Sequence, residues 1–168
     1  MGGIYIHQRH AANKDLPRFA GWWGYDKDRR FQMEKGFQPI PTAEGWQLSN
    51  APIFSMAAHK TSLDIFEEAG MAALVSKMKL LSSYLIFILE GLDDKIRIIT
   101  PKNENEHGCQ VSFIVKEKGK QLYDWLSANG VSAGWREPEV IRVAPVPLYN
   151  SFEDVWQLGN MLETFFKK

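Results

Sequence analysis

The chain has 168 residues, of which 45% are hydrophobic, and its 20 basic and 20 acidic residues cancel. That size and apolar share support one domain with a real core, or one domain plus an appendage, and exclude a disordered chain. With no Lys/Arg run, the electrostatic footprint of a nucleic-acid binder is missing; a single cysteine, Cys109, rules out an internal disulfide and fits a reducing compartment.

In chain order, Gly2 to Gln8 reads as a short strand because Ile4, Tyr5 and Ile6 are good strand formers. No cationic region and long apolar core precede it, so no secretion signal is expected, and the chain looks cut at its start. Residues 10–49 are rich in turn formers, including Pro17, Gly21, Gly24, Gly36, Pro39, Pro41 and Gly45. Within them, Gly21-Trp-Trp-Gly-Tyr-Asp26 places three aromatics in four positions. So short a segment cannot bury all three, and such a loop is expected to pack against a ligand, a second domain or a second subunit. Asn50 is a suitable cap for a helix from Pro52 to Ala69, with Ile53, Met56, Ala57, Leu63 and Phe66 on one face. A second helix over Met71 to Leu89 carries a stripe of Leu74, Met78, Leu81, Leu85, Ile88 and Leu89. Lys77, Lys79 and Glu90 interrupt the apolar run, which argues for an amphipathic core helix rather than a membrane span.

After Gly91 the period changes. Lys95 to Thr100 and Cys109 to Lys116 alternate as strands, and a helix over Gly119 to Asn129 turns Leu122, Trp125 and Leu126 inward. Val131 to Arg136 and Glu139 to Ala144 suggest a hairpin through Glu137-Pro138. A final helix over Phe152 to Lys167 presents Val155, Trp156, Leu162 and Phe166. Strand, strand, helix, strand, strand, helix is the order of a two-layer α+β unit.

The most informative stretch is Ile141-Arg-Val-Ala-Pro-Val-Pro-Leu-Tyr-Asn-Ser-Phe152. Alternation puts Ile141 and Val143 on one face and Arg142 on the other; Pro145 and Pro147 then force the chain out of the sheet, and Asn150 or Ser151 can cap the next helix. Arg142 is thereby fixed at a sheet rim, where its fork could hold a carboxylate by two parallel hydrogen bonds; a plain surface arginine on an edge strand is the competing reading. Among reactive motifs, a nucleophile elbow, a P-loop and a dinucleotide turn are all missing. His7 and His10 have no accompanying cysteine or carboxylate cluster, so no metal site is expected. Lys60 sits inside a helix and reads as solvent-facing. The residues supply binding parts without a nucleophile or base.

Four segments together, the Arg142 stretch, Gly108-Cys-Gln-Val-Ser, Gly21-Trp-Trp-Gly-Tyr and Leu48-Ser-Asn-Ala-Pro-Ile53, resemble the C-terminal part of kynureninase, a fold-type-I pyridoxal-phosphate hydrolase that splits L-kynurenine into anthranilate and L-alanine. The resemblance implies an α+β fold: the small C-terminal domain of such an enzyme, an antiparallel sheet covered by helices, at residues 93–168. Linking helices would fill residues 51–92, and residues 1–50 would be a remnant strand and aromatic loop of the large domain. It implies that Trp22 and Asn50 contact the cofactor at its phosphate, from the neighbouring subunit of a homodimer, and that Arg142 binds the substrate's α-carboxylate, with Trp23 and Tyr25 near the aryl ring. Tyr25 departs from the histidine found there in some members, which leaves selectivity between L-kynurenine and 3-hydroxykynurenine open. The family's cofactor lysine lies in a Ser-x-Tyr-Lys-Tyr motif that this sequence lacks, so no catalytic residue is assigned and the chain alone is expected to be inactive. The implied setting is the cytoplasm, with no nucleic-acid or membrane partner. Two alternatives remain: another fold-type-I enzyme such as a cysteine desulfurase, against which Cys109 on an expected strand speaks, and a non-catalytic dimerisation or binding module derived from the small domain.

Overall fold

The computed structural model describes residues 2–167 and divides the chain into two units, Met1–Ile65 and Phe66–Lys168. In the second unit, alternation in the sequence becomes a four-stranded antiparallel sheet. Its strands are β1 (Ile96–Ile98), β2 (Val111–Val115), β3 (Gly134–Arg136) and β4 (Val140–Val143), in the order β1-β2-β4-β3. Val111, Phe113 and Val115 of β2 and Ile141 and Val143 of β4 are buried on one face, while Ser112, Ile114 and Arg142 on the other are half-buried. The helices of this unit, α3 (Met71–Glu90), α4 (Gly119–Ala128) and α5 (Phe152–Phe166), supply the rest of the core through Leu81, Leu85, Leu89, Leu122, Leu126, Val155 and Leu162.

α3 has the length and composition to cross a membrane. Its stripe nonetheless packs into the sheet core as the period predicts, with Leu81, Leu85 and Leu89 fully buried, and Lys79 on its outer side donates to Glu104 at 3.0 Å. The helix pair α3–α5 approaches closely at Gly159, where a Cβ would stand 2.9 Å from Ile88 Cγ2. Trp156, expected on the inner face of α5, is 50% exposed. A step of about 100° per residue sets it beside the Val155–Gly159–Leu162 stripe instead of on it.

The first unit is built differently. The strand expected over Gly2 to Gln8 does not form: residues 2–7 are irregular and a short helix α1 (Gln8–Ala11) follows, capped by His7, whose Nδ1 accepts from the Arg9 amide at 3.1 Å. Strand propensity needs a ladder partner to become a strand, and no described segment pairs with these residues. Beyond α1 the backbone runs through three short 3-10 turns, Trp22–Gly24, Arg30–Gln32 and Ala43–Trp46, stitched by an isolated bridge between Tyr25 and Pro39.

The helix α2 (Ile53–Ala69) starts one residue after the expected position and has no buried residue. The face expected to point inward is open, with Ile53 77% and Leu63 54% exposed. A helical period identifies an apolar stripe, but burial requires a surface to receive it.

Candidate functional site

The aromatic loop owes its shape to its glycines. Built onto Gly24, a Cβ would lie 2.6 Å from the Gly45 carbonyl oxygen, and one on Gly21 would overlap the Leu48 backbone. The Trp22–Gly24 turn therefore lies backbone against backbone on the segment after Thr42, an approach only residues without a Cβ permit. Hydrogen bonds tie the loop to the segment before Thr42 as well: Ile40 N donates to Gly24 O at 2.9 Å and Asp26 N to Gln38 O at 2.7 Å.

Three of the expected site residues share this turn. Trp22 meets Phe31 edge-on, with centroids 5.4 Å apart, and stays 45% exposed; its indole N–H has no acceptor among the described residues. Trp23 is 40% exposed and its indole N–H donates to Asn50 Oδ1. Tyr25 packs edge-on against Phe37 at 5.9 Å and its hydroxyl is buried without a partner. The structure thus joins Asn50 to the loop, 27 residues away in sequence, through Trp23. Asn50 stands three residues before the first residue of α2, and its side-chain oxygen is engaged by the indole rather than by a helix amide. Beside the turn opens a cleft of about 360 Å³ lined by Trp22, Tyr25, Arg30, Met33 and Phe37.

Arg30 is a residue that sequence reasoning missed. It is only 8% exposed, and its Nη2 donates to the carbonyls of Trp23 at 3.3 Å and Tyr25 at 3.0 Å. Its guanidinium lies 5.3 Å from the Trp23 ring centroid and 5.9 Å from that of Trp22. Nothing local announces it, because an arginine in a polar loop is exposed by default.

Arg142 lies in the other unit. It does not sit on an edge strand: β4 is an inner strand, with Arg142 paired to Ser112 of β2 on one side and Gly134 of β3 on the other. The prolines end the strand at Val143, so they bound it along its length without excluding it from the middle of the sheet. Arg142 is half-buried and has no carboxylate partner among the described residues. Its Nε donates to Gln110 Oε1 at 2.9 Å and its Nη2 to the same oxygen. Gln110, also unrecognised as a site residue, comes from the Gly108-Cys-Gln-Val-Ser segment, and its own amide nitrogen donates to Ser112 Oγ at 3.3 Å. Cys109, expected on a strand, is half-buried just ahead of β2.

The exit behind Arg142 is tied down from three directions. Lys77 Nζ donates to Pro147 O at 2.8 Å, Val146 N donates to Asn150 Oδ1 at 2.9 Å, and Ser151 with Asp154 forms a full capping box on α5. The Ser151 amide, assisted by the Asn150 side chain, holds the Asp154 carboxyl below the usual aspartate range.

Among the other titratable groups, Lys60 pairs with Asp64 at 2.8 Å on the exposed side of α2. His7 and His10 are engaged by Arg9, and the described residues contain no group of three or more His, Cys, Asp or Glu placed to hold a metal ion.

Residues 74–162 match the family model for the kynureninase C-terminal domain. Curated kynureninases are similar over almost the whole chain: 48% identity over 165 residues for Flavobacterium johnsoniae, covering 96% of this chain and 39% of the relative. For Myxococcus xanthus the identity is 48%, covering 97% of the chain and 38% of the relative, and for Xanthomonas oryzae pv. oryzae 44%, covering 98% and 40%. The chain therefore spans about two fifths of the length of the relatives it matches. In fold, it resembles the apo cysteine desulfurase of Thermococcus onnurineus, with a TM-score of 0.74 at 16% identity, covering 97% of this chain and 42% of that one. It also resembles the cystine C-S lyase C-DES in complex with cysteine persulfide, with a TM-score of 0.71 at 16% identity, covering 94% and 40%. A C-DES mutant with glycine covalently linked to its PLP cofactor aligns with a TM-score of 0.68. At under 25% identity these neighbours show the fold alone, that of a fold-type-I PLP enzyme, shared over almost the whole of this chain. The family match and the identity to whole kynureninases go further: the chain belongs to the kynureninase family.

Proposed function

We propose that this chain is the substrate-orienting and phosphate-binding part of a PLP-dependent kynureninase, which hydrolyses L-kynurenine to anthranilate and L-alanine and accepts 3-hydroxykynurenine. The observation that carries this reading is Arg142: a half-buried cation on an inner strand, without a carboxylate partner among the described residues, whose fork is held in place by a neutral amide. A cation so arranged favours an anion arriving from outside the chain.

The residues present fit the phosphate end of the cofactor. Trp22 offers an indole N–H with no acceptor among the described residues, and Asn50, whose oxygen already serves Trp23, keeps its amide N–H groups for phosphate oxygens. The sequence lacks the family's Ser-x-Tyr-Lys-Tyr lysine motif, so covalent attachment of the cofactor falls to residues outside these 168. When bound, pyridoxal phosphate supplies an electron sink for charge developing at Cα. This chain supplies orientation. Arg142 holds the α-carboxylate so that the bonds at Cα keep their angle to the cofactor ring, and Trp23 and Tyr25 flank the aryl end. The active form is a homodimer in the cytoplasm, and the isolated chain has no activity.

Two experiments test this. Treated with pyridoxal phosphate and borohydride, the purified chain should carry no stoichiometric adduct at any one lysine; such an adduct would overturn the division of labour. Co-expressed with the region of the Flavobacterium johnsoniae enzyme preceding the matched part, the chain should restore anthranilate release. In that assembly Arg142→Leu should lower kcat/KM by roughly 2–4 kcal/mol equivalent, as for loss of a buried charged partner. An unchanged kcat/KM removes Arg142 from the site.

A further inference from the structure

The Gly108-Cys-Gln-Val-Ser segment contains a side chain that the carboxylate grip needs and that the reading so far does not use. Ser112 is directly opposite Arg142 in the β2–β4 ladder, so Gln110 is the diagonal neighbour two residues along, within reach of a long side chain. On both flanks the cross-strand neighbours are small: Ser112 on β2, and Gly134 on β3, where even a Cβ would come only to 3.7 Å from the Arg142 Cβ. The guanidinium therefore has room to turn, and Gln110 is what stops it.

Which way the amide faces follows from its partners. With Nε2 on Ser112 Oγ, Oε1 meets the arginine; the opposite orientation would set an NH2 group against two guanidinium donors. Oε1 takes the edge formed by Nε and Nη2. Nη2 has a second hydrogen, directed toward Nη1, and neither that hydrogen nor Nη1 has an acceptor among the described residues. The Nη1–Nη2 edge is thus oriented and free. A glutamate at position 110 would occupy the same volume, and the Ser112 hydroxyl could turn to donate to it. It would also cancel the charge of Arg142 from inside the chain.

Resting on the reading of Arg142 as a carboxylate ligand, we propose that Gln110 is a positioning and selectivity residue. It holds the Nε–Nη2 edge of Arg142 without neutralising it and so leaves the Nη1–Nη2 edge to an amino acid's α-carboxylate.

The test uses the whole chain labelled with 15N, acetate as the probe, and chloride at matched ionic strength as the control. The Arg142 Nε–H resonance is assigned by its loss in Arg142→Leu. In the parent, acetate should shift this resonance saturably and chloride should not. Gln110→Glu should weaken acetate binding at least tenfold with unchanged thermal unfolding, because a carboxylate is already in place. Gln110→Met, which keeps the length and removes the acceptor, should speed solvent exchange of the Arg142 Nε–H severalfold and weaken acetate binding by a smaller factor. Should Gln110→Glu fail to fold, the exchange rate in Gln110→Met decides. Parental acetate affinity in Gln110→Glu, or an unchanged Nε–H exchange rate in Gln110→Met, overturns the role of Gln110 and leaves that of Arg142 standing. A parent that does not respond to acetate overturns both.

Discussion

The two units of this chain solve the problem of folding by different means. In Phe66–Lys168, fourteen apolar side chains form one buried cluster between a sheet and three helices. In Met1–Ile65 the only buried apolar side chain among the described residues is Ala11, while Phe19, Phe31, Met33 and Ile53 are each more than 75% exposed. What orders the first unit is polar and backbone contact: glycines that let strands of chain touch, an arginine threaded under two carbonyls, and an indole on an amide. Burial of apolar area is cooperative and tolerant, whereas a lattice of hydrogen bonds and close approaches fails one contact at a time. The residues proposed for binding follow this division: Arg142 stands on a packed sheet, and the aromatic residues stand on a loop whose shape depends on a few atoms.

The contrast is tested most severely in the sheet core. Phe113 is fully buried, and Phe113→Ala should cost about 3–5 kcal/mol, read by urea unfolding followed through far-UV circular dichroism. A loss below about 1 kcal/mol would mean that this cluster does not carry the second unit.

Next in size is the loop. Arg30→Met removes the donors held by the Trp23 and Tyr25 carbonyls and should destabilise the turn by about 1.5–3 kcal/mol. Indole fluorescence of Trp22 and Trp23 should move to the red, and amide exchange in β2 and β4 should stay unchanged. Exchange that rises across the sheet as well would erase the distinction between the units. Gly24→Ala should do comparable damage, about 1–3 kcal/mol, since its Cβ would meet the Gly45 carbonyl, which is backbone and cannot step aside as a side chain could.

Smaller still is the capping box of α5. Ser151→Ala should cost about 1 kcal/mol in the melting of the second unit.

The same corner gives a pH dependence. The Asp154 carboxyl is held below its ordinary value, first by the Ser151 amide, and Asp94 is held down first by its bond to Lys95. For a depressed carboxylate the unfolded state takes up the proton first as pH falls. The contribution is therefore complete above the ordinary aspartate value of about 3.9 and is lost as pH falls from there through the lower value of the folded state. Thermal melts between neutral and acid pH should show this loss in the parent and less of it in Asp154→Asn. Identical acid profiles would mean that the cap carries no charge-dependent stability.

Much of the second unit was legible from spacing. The α3 stripe, the alternation of β2, the hairpin through Glu137-Pro138 and the capped start of α5 each depend on residues within a few positions of one another. The inward face of α2 was misread for a reason of the same kind: its period is real, but no local rule says what covers it. The first strand failed because a strand is defined by a partner, and no described segment pairs with residues 2–7.

By itself, then, the sequence determined the helices and strands after residue 70, the glycine-framed aromatic loop, and Arg142 on a strand face opposite the core, all consequences of periodicity, turn chemistry and caps. Only the tertiary structure decided that β4 is an inner strand, that Arg30 is buried beneath the loop, and which atoms hold the residues proposed for binding. Trp23 finds Asn50 across 27 positions, Arg142 finds Gln110 across 32, and Lys77 finds Pro147 across 70. Pairings over such distances are fixed when whole elements pack, because each bond is worth only about 1 kcal/mol net and cannot by itself offset the entropy of closing so long a loop.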